Sequence, residues 1–209
     1  MYAYPYLVDQ QRPSTTLSFT ACSGARTGDV LNNQLGPLNS GTDWVTITIG
    51  GNDAGFSDVI IECAQPWWSS NCNGAIDDAQ AYIRNTLPGR LNQVYNAIKS
   101  RAPNATVIVL GYPRLFMGED CNGGTWFSGS EMTRLNETAN LLRDKTKAQV
   151  ATEGAKFRFK DAIPPFVGHA VCSDTEWLNG LTWPVDASYH PNRTGHSGGY
   201  APLVRSVMG

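Results

Sequence analysis

Trp44-Val45-Thr46-Ile47-Thr48-Ile49-Gly50-Gly51-Asn52-Asp53 is the stretch on which the reading of this chain turns. Its first six residues are aromatic or β-branched, the composition of a strand. The tandem glycines end that run abruptly and permit a sharp turn or a close approach to a ligand. Asn52 then presents a side-chain amide at the carboxyl edge of the strand. Such an amide beside backbone N–H groups is what a developing oxyanion needs. Gly-Gly-Asn-Asp taken alone is better read as a plain turn, and Asp53 reads as a turn or network residue, not a base.

Outward from this stretch, strands and helices alternate. Upstream, Tyr2–Gln10 reads as the tail of a helix, Thr16–Ala21 as a short strand and Gly28–Leu35 as a helix stopped by Gly36-Pro37. Downstream, Phe56–Cys63 is helical. Ile76–Ala102 carries apolar residues at helical spacing, with a break expected at Pro88-Gly89. Thr106–Leu110 is a continuous apolar run, the pattern of a strand covered on both faces. Ser130–Thr152 follows as a helix with Ser130 as its N-cap, then a strand over Lys156–Lys160 and a final helix over Gly195–Val207. The pattern predicts an α/β domain with a mainly parallel sheet and helices on both faces, its ligand site at the carboxyl ends of the strands.

Composition narrows the function. The chain has 209 residues, 41% apolar and 16% charged, with a net charge of −2, which fits one domain and gives no basic footprint for nucleic acid. No apolar run is long enough for a membrane span. The N-terminus has no signal-peptide pattern. The five cysteines contain no C-x-x-C, and the histidines His169, His190 and His196 do not flank them at zinc spacing, so no metal is expected. Cys63 and Cys72 bracket a short polar loop, and Cys121 and Cys172 lie in Gly/Ser/Asn-rich loops. Disulfides Cys63–Cys72 and Cys121–Cys172 are therefore expected, and with them an oxidising, extracellular compartment. Cys22 remains, as a free thiol or as half of a pair whose partner is not in this sequence. The triplets at Asn104, Asn136 and Asn192 fit the glycosylation pattern of secreted chains.

Two further segments carry chemistry. Cys22-Ser23-Gly24-Ala25 follows the Thr16–Ala21 run, where Gly24 can offer an unobstructed backbone N–H. Ser23 is not in a G-x-S-x-G elbow, so helix-capping turn chemistry is the better account of it than nucleophilic attack. Near the C-terminus, Asp186-Ala187-Ser188-Tyr189-His190-Pro191-Asn192 places a histidine on extended backbone before a proline, suited to general-base work. His169 and His196 read as structural. Trp67, Trp68, Trp126, Trp177 and Trp183 fall mostly in loops, where they line a cleft or pack locally.

Together, Ser23-Gly24, Gly51-Asn52-Asp53 and His190-Pro191-Asn192 resemble the second, third and fifth sequence blocks of the SGNH/GDSL hydrolases. The Ala-Cys-Ser-Gly-Ala stretch and the cysteine spacing are closest to that family's secreted lipase and esterase branch. The resemblance covers nearly the whole chain. It implies a three-layer α/β/α, flavodoxin-like single domain over residues 1–209 and a cofactor-free ester hydrolase with no stable membrane insertion. The substrate would be a small-molecule, lipid or carbohydrate ester. It also implies that the Gly24 N–H and the Asn52 amide form the oxyanion hole, with His190 as general base. The family's usual Asp three residues before the histidine is here Ala187. Asp186 stands one position further off, and a backbone carbonyl near Ser188 is the expected alternative for orienting the imidazole. The family's first block, Gly-Asp-Ser with the nucleophile, is not in this sequence. The resemblance places it upstream of Ala3–Leu7, together with a first strand and a cysteine for Cys22. Three expectations follow: a domain incomplete at its N-terminus, weak activity from these residues alone, and an exposed edge where Thr16–Ala21 and Trp44–Ile49 pair with each other or through which chains associate. A non-catalytic lipid- or carbohydrate-binding relative is the alternative, and a Ser23 or Cys22 nucleophile the third reading.

Overall fold

β2 (Thr106–Leu110) is the central strand of a three-stranded parallel sheet, between β1 (Trp44–Ile47) and β3 (Phe157–Lys160). The computed structural model describes residues 2–209 without the side chain of Asp186, so that candidate triad acid lies outside the described residues. Alternation along β2 divides the interior in two, because successive side chains leave a strand on opposite faces. Ile108 and Leu110 join a core with α1 (Tyr4–Asp9), α3 (Phe56–Cys63), α4 (Cys72–Asn85) and α7 (Ala201–Met208). Val107 and Val109 face the other way, onto Leu91, Val94, Tyr95 and Ile98 of α5 (Leu87–Arg101). The long helix α6 (Gly129–Ala151) supplies side chains to both cores. The architecture is the three-layer α/β/α sandwich.

Several boundaries differ from those read in the sequence. α6 starts two residues early because Ser128, not Ser130, is the N-cap. Its hydroxyl accepts the Glu131 N–H while the Glu131 carboxylate accepts the Ser128 N–H, a reciprocal capping box. α4 and α5 part at Thr86, so Pro88 sits in the first turn of α5, where its missing N–H costs nothing. The predicted helix at Gly28–Leu35 is a short α2 (Thr27–Asp29) followed by a π-helical turn, Val30–Gln34, and the one at Gly195–Val207 opens on another, Gly195–Tyr200, before α7.

The largest correction concerns Thr16–Ala21. It has no regular secondary structure, joins no ladder and does not pair with β1. Its tether is local: the Thr20 hydroxyl donates to the Gln34 carbonyl, and Phe19 packs on Tyr6. Among the described residues, β1 pairs with β2 alone, so its outer row of N–H and C=O groups has no strand against it. The disulfides Cys63–Cys72 and Cys121–Cys172 are present, and Cys22 is a free, exposed thiol. The three sequon asparagines are structural. Asn136 holds the Leu115 and Phe116 backbone, Asn104 donates to the Ser40 carbonyl, and Asn192 donates to the Glu176 carbonyl.

Buried phenols set an alkaline limit on this fold. Burial raises the pKa of Tyr4, Tyr95 and Tyr200, and pushes that of Tyr112 up to about 12. The unfolded chain loses these protons near pH 10, while the folded chain keeps them longer. Stability is therefore unaffected by these groups below about pH 10 and falls between about pH 10 and 12, with Tyr112 alone contributing a loss of up to about 2 kcal/mol. Urea unfolding followed across that range should show the midpoint dropping; a flat midpoint would contradict the burial.

Candidate active site

Gly50 is where the β1 strand turns over. Its φ of 110° lies in the region that glycine alone enters freely. The next residue is held from below, because the Gly51 N–H donates to the Tyr112 hydroxyl at 3.2 Å. Tyr112 comes from Gly111-Tyr112-Pro113 at the end of β2, so the central strand sets the height of the turn. The chain then closes on itself through Phe56 N–H to Gly51 C=O and starts α3.

Asn52 faces the loop that carries Gly24. Its side-chain amide donates to the Ala25 carbonyl at 3.3 Å. A primary amide has two N–H groups. One is spent on Ala25 and fixes the plane, which leaves the second free to point elsewhere. Asp53 locks the same two loops together. Its carboxylate accepts the Thr27 N–H at 3.0 and 3.1 Å and also the Thr27 hydroxyl. Asp53 is thus a clamp, as a network residue should be. Gly24 has φ 76°, and its N–H makes no hydrogen bond among the described residues. The amides of Gly24 and Asn52 therefore belong to neighbouring loops that are tied together at two points.

His190 arrives from the other end of the chain. Its ring meets Phe56 edge-on at 6.4 Å between centroids, four residues beyond Asn52. That contact sets His190 beside the start of α3, the helix that follows the Asn52 turn. Nδ1 of His190 lies 2.8 Å from the Ser188 carbonyl oxygen. A carbonyl only accepts, so Nδ1 carries the hydrogen and Nε2 presents its lone pair. No hydroxyl donates to Nε2 among the described residues. Ser188 works through its backbone, since its own hydroxyl is occupied with Thr182.

The turn that makes this contact is strained. Tyr189 has φ 58°, a left-handed conformation that costs a non-glycine residue about 1 kcal/mol or more. Packing holds it there, with the Tyr189 ring buried against Phe116 and Phe127. Asn179 fastens the backbone on both sides. Its N–H donates to the His190 carbonyl, its carbonyl accepts the Tyr189 N–H, and its amide donates to the Ala187 carbonyl. Nothing in the sequence marks Asn179, because its partners are backbone groups brought close only by folding.

The other histidines have different surroundings. His169 stacks flat on Trp177 at 3.9 Å, with Nδ1 against the Thr175 carbonyl. His196 lies beside the stacked pair of Tyr4 and Tyr200, and burial first, then the charge of His190, lowers its pKa. Ser23 and Cys22 are exposed, and neither forms a hydrogen bond with His190 among the described residues. Cys121, Cys172 and Glu176 approach each other closely, but both sulfurs are consumed in a disulfide and offer no thiolate to a metal. Beside the Asn52 turn runs a groove of about 580 Å³ lined by Asp53, Asp58, Glu62, Asp78 and Tyr82.

Residues 2–197 match the GDSL-like lipase/acylhydrolase family. The chain belongs to that family. Among its relatives is a lipase of Streptomyces rimosus, 48% identical over 206 residues, covering 98% of this chain and 75% of that protein. Lipase 1 of Streptomyces coelicolor is 46% identical over 207 residues with the same coverage. Among solved structures, the extracellular lipase of Streptomyces rimosus superposes with a TM-score of 0.90 at 47% identity, and phospholipase A1 of Streptomyces albidoflavus with 0.91 at 41%. Each alignment covers 98% of this chain and 86% of the other. At such identity the GDSL-like relatives share the path of the backbone as well as the layer order.

Proposed function

We propose that this chain is a secreted carboxylic ester hydrolase that supplies the base and the oxyanion-binding half of a Ser–His acyl-transfer site. His190 Nε2 takes the proton of an attacking serine and returns it to the leaving alcohol. The Ser188 carbonyl holds the imidazole in the tautomer that can do so. The Gly24 N–H and the free N–H of Asn52 bind the negative charge that develops on the ester oxygen. The observation that carries this reading is the Nδ1 contact to Ser188, because it leaves Nε2 basic and unpartnered beside the two amide-bearing loops. Disulfides and the extracellular relative support secretion. No helix among the described residues is long and apolar enough to cross a membrane.

The serine is not among the groups contacting His190. In this reading it comes from a Gly-Asp-Ser segment that residues 1–209 do not contain, seated as a strand against the unpartnered edge of β1. Two variants test this: residues 1–209 alone, and the same residues preceded by a strand-forming Gly-Asp-Ser segment. Hydrolysis of short p-nitrophenyl esters should stay near background in the first and become sensitive to serine-directed phosphonates in the second. Robust turnover by residues 1–209 that Ser23→Ala or Cys22→Ala abolishes would replace it with one of those nucleophiles. The unpartnered Nε2 also favours a second reading, a binding protein of the same fold without turnover. That reading would hold if esters bind to both forms and neither hydrolyses them.

A further inference from the structure

We propose that the loop carrying His190 and the disulfide-linked loop beside it form a docking surface for a zwitterionic lipid interface with choline headgroups. This goes one step past the ester-hydrolase reading and gives that site its substrate phase. The two loops are 117–127 and 172–190. The Cys121–Cys172 disulfide joins them, and Asn122 joins them again by accepting the Leu181 N–H. Gly124 approaches the Leu181 side chain.

Apolar side chains stand out from this linked pair. Trp183 is 87% exposed and Trp126 51%, with Leu181 and Val185 exposed as well. Tryptophan is poorly suited to bulk water and well suited to the boundary between headgroups and acyl chains, where its ring is apolar and its N–H is wet. Trp183 lies seven residues before His190, on the loop whose Ser188 carbonyl orients that histidine. Attachment there would hold the active-site rim at the lipid surface.

Charge selects the kind of surface. No lysine or arginine occurs between Arg114 and Arg134, or between Lys160 and Arg193. The exposed charges on the two loops are acidic: Glu119, Asp174 and Glu176. The groove beside Asn52 is acidic too. Recruitment to anionic leaflets depends on basic clusters, and neither loop carries a lysine or arginine. Acidic groups interspersed with tryptophan instead complement the outward-facing quaternary ammonium of choline headgroups.

The test is partition of residues 1–209 onto vesicles, measured by co-sedimentation and by the blue shift of tryptophan emission. Binding is read without hydrolysis, so it fails or succeeds independently of the esterase reading. Phosphatidylcholine vesicles should bind the chain, and phosphatidylglycerol vesicles should bind it less. The double variant Trp126→Ala/Trp183→Ala should partition roughly tenfold or more weakly on phosphatidylcholine, with near-ultraviolet circular dichroism otherwise retained. Trp183→Phe, which keeps an apolar ring, should keep most of the binding. Absence of binding to phosphatidylcholine, tighter binding to phosphatidylglycerol, or an unaffected double variant would each overturn the proposal. So would a concentration-dependent dimer in sedimentation velocity that the double variant abolishes, since the patch would then serve a second copy of the chain.

Discussion

His190→Ala, made in the chain preceded by the Gly-Asp-Ser segment, should lower kcat by about 10⁴ or more with little change in KM. The magnitude follows from what the imidazole does twice, first as acceptor of the serine proton and then as donor to the leaving alcohol. Nothing else at the rim can replace it. His196 packs against the stacked Tyr4 and Tyr200, and His169 lies flat on Trp177, with Nδ1 against a carbonyl. His196→Gln should therefore cost far less than His190→Ala. Ser188→Ala is the informative companion. It removes a hydroxyl engaged with Thr182 but keeps the carbonyl that meets Nδ1, so most activity should survive. If His190→Ala stays within tenfold of the parent in kcat/KM, the base is elsewhere.

How much of this was legible in the sequence depends on whether a segment's partners are local or distant. Phe56–Cys63 and Thr106–Leu110 form the elements expected, with the same bounds, since helical periodicity and a doubly covered apolar run are properties of the segment itself. The turn at Gly50-Gly51-Asn52 was legible because tandem glycines after a strand leave few conformational choices. Thr16–Ala21 has the composition of a strand and is not one here. A strand is made by its neighbour, and no other described segment lies alongside to bond it. His190 was visible through its motif, but its tautomer was not. That rests on the left-handed Tyr189, on a hydrophobic seat made by Phe116 and Phe127, and on Asn179. Each is a contact over sequence distances that no periodicity encodes. The aromatic residues divide likewise. Trp177 is a packing residue under Gly195 and Gly198, while Trp67, Trp68, Trp126 and Trp183 remain in solvent instead of lining a cleft.

Asn52→Ala, in the same active form, should reduce kcat by about 10² to 10³ and leave KM nearly unchanged, a transition-state loss of about 3–4 kcal/mol. The split matters because an amide aimed at an oxyanion strengthens its bond only as charge develops, and contributes little to the neutral ester. One complication is built into the geometry. The same side chain donates to the Ala25 carbonyl, so its removal also slackens the loop that carries Gly24. Asp53→Asn separates the two effects, since it weakens the Thr27 clamp without touching the amide. A loop defect would lower stability in both variants and raise KM. A missing oxyanion donor would lower kcat in Asn52→Ala alone. Asn52→Asp sharpens the contrast further. Its carboxylate matches the amide in shape but sets a negative charge where the oxyanion forms, so it should be worse than alanine. Equal activity of the Asp and Ala variants would mean that Asn52 does not face the reacting oxygen, and the hole would then rest on backbone amides alone.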